Sequence, residues 1–129
     1  MIEPIFLTIA EVLEIHSKQL NAHGGIHGTR EQSLLESAVM TAQASFGGDY
    51  LHQDIYETAA AYAFHIAENQ PFLDGNKRTA LVSALAFLDM NGYIILDPRG
   101  RLHTMLIDIA NHSADKSDLA DLLRSLPTE

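Results

Sequence analysis

In its first half the chain three times sets a small polar residue three places ahead of Glu or Gln and then turns apolar at helical spacing. That repeated start signal commits it to helices more firmly than any other feature. Thr8-Ile-Ala-Glu11 leads into Val12, Leu13, Ile15 and Leu20, which predicts a first helix to about Asn21. After the glycine-punctuated loop Asn21 to Gly28, Thr29-Arg-Glu-Gln32 repeats the spacing ahead of Leu34, Leu35, Ala38, Val39 and Ala42. Asp54-Ile-Tyr-Glu57 caps a third helix in which Tyr56, Ala59, Ala60, Ala63, Phe64 and Ala67 recur. Side chains that small let neighbouring helices approach closely, so this helix is expected to be the most buried.

The remaining segments read the same way. Ser45 to His52, rich in aromatic and glycine residues, is expected to form a short hairpin or an ordered flap over a site. A fourth helix begins near Gly75 or Asn76, carries Leu81, Leu85 and Leu88 inward, and stops at Asn91-Gly92. Tyr93 to Leu96 is a brief extended run ended by Asp97-Pro98. Two more helices, about Arg101 to Asn111 and Ser117 to Leu126, complete the chain, with Ser117 as the expected cap of the last. The expectation is all-α: a compact bundle of about six helices with at most one small hairpin or flap, residues 1–129 forming a single domain.

Composition bounds the function. A length of 129 residues suits one core, and 47% hydrophobic with 19% charged residues is ordinary for a globular protein. Without cysteines there is no disulfide framework or thiolate metal site, which suits a reducing cytoplasm. Met1-Ile2-Glu3-Pro4 lacks the basic and apolar segments of an export signal, and no apolar run nears the ~18 residues that span a bilayer. The expected setting is therefore cytoplasmic, with no membrane partner. A net charge of −9 repels phosphate backbones, which argues against direct nucleic-acid binding and for a basic protein partner.

Against that acidic balance, Phe72-Leu-Asp-Gly-Asn-Lys-Arg-Thr79 places two cations at a helix start. The first turn of a helix offers unpaired N–H groups and a partial positive charge, and so attracts anions. Gly75 permits a positive φ and close backbone approach to a phosphate. Asn76 adds a donor, Lys77 a point charge and Arg78 a planar fork suited to phosphate oxygens. Asp74 cannot bind an anion directly; a carboxylate there suits Mg²⁺, which is held by one or two carboxylates plus substrate phosphates. The alternative is a common Asp-Gly-Asn turn followed by a solvated Lys-Arg pair, although cations at that helix end oppose the dipole.

The segment from Gln70 to Arg78 resembles the signature of the Fic/Doc family, His-Pro-Phe-x-Asp-Gly-Asn-x-Arg, at Pro71, Phe72, Asp74, Gly75, Asn76 and Arg78. Lys77-Arg78-Thr79-Ala80-Leu81 is similar to the death-on-curing (Doc) branch, as are "GGIHGTREQSLLESA" and "AAAYAFHIAENQPF" upstream. The resemblance implies an all-α fold, ATP as donor with Mg²⁺ on Asp74, and a nucleotide site built from Phe72, Gly75, Asn76, Lys77 and Arg78. AMP-transferring members carry Gly where Lys77 stands and a second Arg where Leu81 stands. Both departures imply the Doc reaction, transfer of the γ-phosphoryl to a threonine of elongation factor Tu, which halts translation. They also imply a cognate antitoxin that inhibits in trans, and no Ser/Thr-x-x-x-Glu-Gly/Asn inhibitory motif occurs in the chain. Transfer of AMP or another nucleotidyl group, and a non-catalytic antitoxin- or nucleotide-binding module, are the alternatives.

Gln70 stands where the family has its general base. An imidazole takes a hydroxyl proton near neutral pH, whereas a glutamine amide only hydrogen-bonds, and loss of such a base costs ~10²–10⁴ in rate. Asp74, Lys77 and Arg78 complete the catalytic set, which Gln70 leaves impaired. His65, five residues back and about 140° around a helix, faces elsewhere. It reads as a packing histidine, as do His16, His103 and His112, with His23, His27 and His52 in loops. Gln70 is either a natural loss or a substitution that lets cells survive making a toxin.

Overall fold

The structure, a computed structural model, describes residues 3–129; Met1 and Ile2, where the N-terminal reading starts, lie outside the described residues. Six helices follow in order: α1 (Ile9–His23), α2 (Gln32–Ala42), α3 (Ile55–Asn69), α4 (Asn76–Met90), α5 (Arg101–Ala110) and α6 (Lys116–Ser125). A two-stranded antiparallel ribbon, β1 (Ser45–Phe46) with β2 (Asp49–Tyr50), lies between α2 and α3, with Ser45 opposite Tyr50. The all-α bundle with one small hairpin is the architecture expected. No helix among the described residues is long and apolar enough to cross a membrane.

Helix α3 is the axis of the bundle, packed by α2, α4, α5 and α6. Its run Thr58 to Ala63 is buried on all sides, because alanine lets α4 approach closely without a groove to fill. Larger side chains, including Tyr62, Ile66, Phe87, Leu106 and Leu123, fill the remaining space, each adding about 2–3 kcal/mol by leaving water. The Tyr62 hydroxyl accepts from the Leu7 N–H at 2.9 Å and donates to the Leu7 carbonyl at 3.0 Å, tying the chain start to the core. Burial drives that phenol well above its ordinary range.

Local chemistry sets most boundaries. Thr8 and Asp54 each accept from the N–H three residues on, while Glu11 and Glu57 reach back to the cap, so both capping boxes form. Three expectations are corrected. Thr29 caps nothing: residues 28–31 run extended against 71–73, and α2 starts at Gln32 without a side-chain cap. The last helix is capped by Asp115, whose carboxylate takes the Asp118 N–H, not by Ser117. The inward face of α4 is Ala80, Ala84, Phe87 and Leu88; Leu81 and Leu85 are half-buried beside it. Of the hairpin or flap expected for residues 45–52, the hairpin forms; it precedes the start of α3, whereas the motif follows its end, 15 residues or about 22 Å along the helix.

The chain end returns to the brief extended run. Leu96 N–H donates to Pro127 O at 2.8 Å and Glu129 N–H to Ile94 O at 2.9 Å, a pairing without local sequence signal.

Candidate active site

The site is a loop, Gln70 to Gly75, held open between the end of α3 and the start of α4. Gln70 ends α3 in the left-handed region, φ 47° and ψ 59°, a conformation that costs a non-glycine residue about 1 kcal/mol or more. A neighbouring segment holds it there. Arg30 donates from Nε to the Gln70 carbonyl and from Nη2 to the Asn69 carbonyl, both at 2.8 Å, and the Pro71 carbonyl accepts the N–H groups of Arg30 and Glu31. Leu73 N–H donates to Gly28 O at 3.1 Å.

Two motif residues help to build the loop itself. Phe72, expected in the nucleotide site, is buried and lies outside the cleft lining, stacked on His16 with ring centres 3.7 Å apart and planes 7° from parallel. Its apolar ring gains more by leaving water than by facing a polyphosphate. Asn76 borders the cleft, but its amide closes the turn: Oδ1 accepts the Phe72 N–H and Nδ2 donates to the Phe72 carbonyl, each at 3.0 Å. One N–H of that amide is left over.

Asp74 is aimed by its surroundings. Oδ1 accepts from the Gly75 N–H at 2.9 Å, Oδ2 from the Ile26 N–H at 3.1 Å, and its carbonyl sits 2.8 Å from His16 Nε2. Gly25 permits this contact, since a Cβ there would stand 2.9 Å from Asp74 Oδ2. Gly75, at φ 78°, turns the chain into α4 with Leu20 packed beneath it. Helix α4 thus begins with no side-chain cap and no acidic residue in its first turn, and its leading N–H groups keep their positive end for a ligand. Lys77 and Arg78 stand exposed on that turn, and among the described residues neither has a carboxylate within ion-pair distance.

These groups border one cleft of about 400 Å³, within the span of small-ligand sites. Gln70 and Asp74 to Arg78 form its polar wall; Leu81, Leu106 and Ile107 form an apolar wall, with His103 at its edge. A polyphosphate on the first wall and a flat apolar group on the second would each meet matching chemistry. For Mg²⁺, Asp74 offers the one carboxylate that such an ion needs when phosphates supply the rest. Among the described residues no cluster of three metal-binding side chains exists.

Sequence reasoning missed one histidine of the cleft and an arginine, while His16 packs as expected. His16 lies under the loop, at a four-residue step between Val12 and Leu20, stacked on Phe72. His103 is the imidazole that lines the cleft among the described residues. Arg30 had no signal, since its partners are distant in sequence. His65, as expected, faces elsewhere, 3.2 Å from Lys116 Nζ.

Residues 6–88 match the family model described as Fic/DOC family. The chain is 32% identical over 116 residues to "Protein kinase doc" of Escherichia phage P1, covering 90% of each chain. It is 39% identical over 71 residues to "Toxin Doc" of Mycolicibacterium smegmatis, covering 55% of each. With the motif loop built as described and relatives of this kind spanning most of its length, the chain belongs to the Fic/DOC family, on the side of its Doc members.

Proposed function

We propose that the chain is a Doc-type toxin of a toxin–antitoxin pair, an ATP- and Mg²⁺-dependent protein kinase that modifies a hydroxyl of a translation protein such as elongation factor Tu. The carrying observation is one cleft wall that joins the bare first turn of α4, the exposed Lys77 and Arg78, and the anchored Asp74 carboxylate. The α4 N–H groups and the two cations bind and orient the polyphosphate, and they stabilise the charge that grows as the γ-phosphoryl moves. Mg²⁺, when bound on Asp74 and the phosphates, neutralises the phosphate oxygens. As the hydroxyl oxygen bonds to phosphorus the bond to the leaving diphosphate breaks, and the hydroxyl proton needs an acceptor at position 70. Gln70 supplies none, so this form binds its donor and turns over slowly.

Leu81 on the apolar wall supports phosphoryl over nucleotidyl transfer, because a side chain without charge cannot hold the terminal phosphate in the orientation that AMP transfer needs. Gln70 itself favours a second reading, a module that holds nucleotide or antitoxin without turnover.

The test is the Gln70→His variant with ATP labelled at the α- or γ-phosphate and a translation extract. Label from the γ-position should appear on protein ~10²–10⁴ faster than with Gln70, and expression should be lethal without an antitoxin. Retention of the α-label would make the chain a nucleotidyl transferase. No transfer from any nucleotide would favour the binding module.

A further inference from the structure

The imidazole beneath the motif loop carries a polar edge that packing alone does not call for. His16 is buried, its ring lying on Phe72 with planes 7° apart, a place that a phenylalanine would fill equally well. What the imidazole adds is Nε2, 2.8 Å from the Asp74 carbonyl oxygen. A carbonyl only accepts, so Nε2 carries the proton and donates. Among the described residues no other donor reaches that carbonyl.

One peptide plane passes the effect on. The bond between Asp74 and Gly75 is trans, so its N–H points opposite to its C=O. With the carbonyl drawn inward to His16, the Gly75 N–H is turned to the outer side, where Asp74 Oδ1 accepts it at 2.9 Å. The Ile26 N–H holds Oδ2 at 3.1 Å from another segment. Each carboxylate oxygen thus has one lone pair taken by backbone and one left over. The ring is itself fixed, since the Asn76 amide holds both the N–H and the carbonyl of Phe72, each at 3.0 Å. Glycine at 75 completes the fit, for a Cβ there would stand 3.1 Å from Leu20 Cδ2 and 3.7 Å from the imidazole Cδ2.

We propose that His16 is a positioning residue: its Nε2–H sets the Asp74–Gly75 peptide plane and, through it, the direction in which Asp74 presents its free lone pairs to the cleft. His16 lies outside the cleft lining, so it acts on a bound cation only through Asp74. The proposal rests on the reading of the cleft as a site for Mg²⁺ and ATP.

The parent, His16→Phe and His16→Gln are titrated calorimetrically with ATP, once in Mg²⁺ and once in a chelator. Phenylalanine keeps the stack and loses the donor, whereas a glutamine amide sets an N–H where Nε2 stands and gives up the stack. Mg²⁺ should tighten ATP binding by the parent. His16→Phe should lose about fivefold of that gain, what a hydrogen bond of ordinary strength is worth, while its binding in chelator stays at the parent's level. His16→Gln should keep the gain and unfold at lower urea. A role in packing alone predicts the opposite order. A His16→Phe protein with the parent's full Mg²⁺ gain overturns the proposal, as does a His16→Gln protein that loses as much as His16→Phe. No Mg²⁺ gain in the parent overturns the reading of the cleft itself, and the proposal with it. Nitrogen NMR of the parent's histidines needs no variant: the His16 proton must sit on Nε2, and a bare Nε2 overturns the proposal whether or not either variant folds.

Discussion

Arg30 and Gln70 are joined across the site: the guanidinium donates at 2.8 Å to the Gln70 carbonyl and, through its other arm, to that of Asn69. The last carbonyls of a helix lack partners, and a residue at φ 47° needs something to hold it. One planar fork does both. Arg30→Ala should lower stability by about 1–3 kcal/mol, since two charge-assisted hydrogen bonds go. Arg30→Lys should recover less than half of it, because an ammonium cannot span both carbonyls at fixed angles. Urea unfolding midpoints for the three proteins check both statements.

Asn76 belongs to the same scaffold. Its amide meets a donor and an acceptor on Phe72 at once, which no isosteric carboxylate can do. Asn76→Asp keeps the bond from the Phe72 N–H and sets a carboxylate oxygen against the Phe72 carbonyl. It should cost about 1–3 kcal/mol and weaken nucleotide binding together with stability. A variant as stable as the parent in thermal unfolding would show the turn to be held by something else.

The histidine pair beneath α6 sets an acid limit. His65 is held down to about 4 by burial first, then by Lys116 and His52, against an ordinary value of 6.5. Between those values the unfolded chain takes up a proton that the folded chain refuses, so stability falls as pH drops through 6.5 and the loss is complete near 4. Allowing for water around a ring that is only partly buried, the loss is about 2 kcal/mol. His52 acts in the same direction. Urea midpoints of the parent and of His65→Gln, compared from neutral pH to the carboxylate range, should diverge in that window; parallel curves would contradict the assignment.

The parts legible in the sequence were those fixed by near neighbours. Thr8 and Asp54 start helices because their caps are satisfied within three residues, and the alanines of α3 foretold its burial. Ser117 misled because Asp115, two residues before it, fits the same local rule and accepts more strongly. Thr29 misled because the backbone around it is used by Pro71 and Phe72, far along the chain. The motif gave the cleft residues, whereas the packing of Phe72 on His16 and the turn that the Asn76 amide closes came from the fold. Arg30 and His103 join the site through the fold alone.

The central claim is that the start of α4, with Asp74, receives a nucleotide's charged tail, and calorimetric titration of the unaltered Gln70 chain with Mg²⁺ and ATP tests it most directly. Saturable binding is predicted, weakened about tenfold or more by Arg78→Ala, as loss of a charged hydrogen-bond pair requires, and little changed by Gln70→His. Absence of binding, or equal binding by the Arg78→Ala protein, would contradict it.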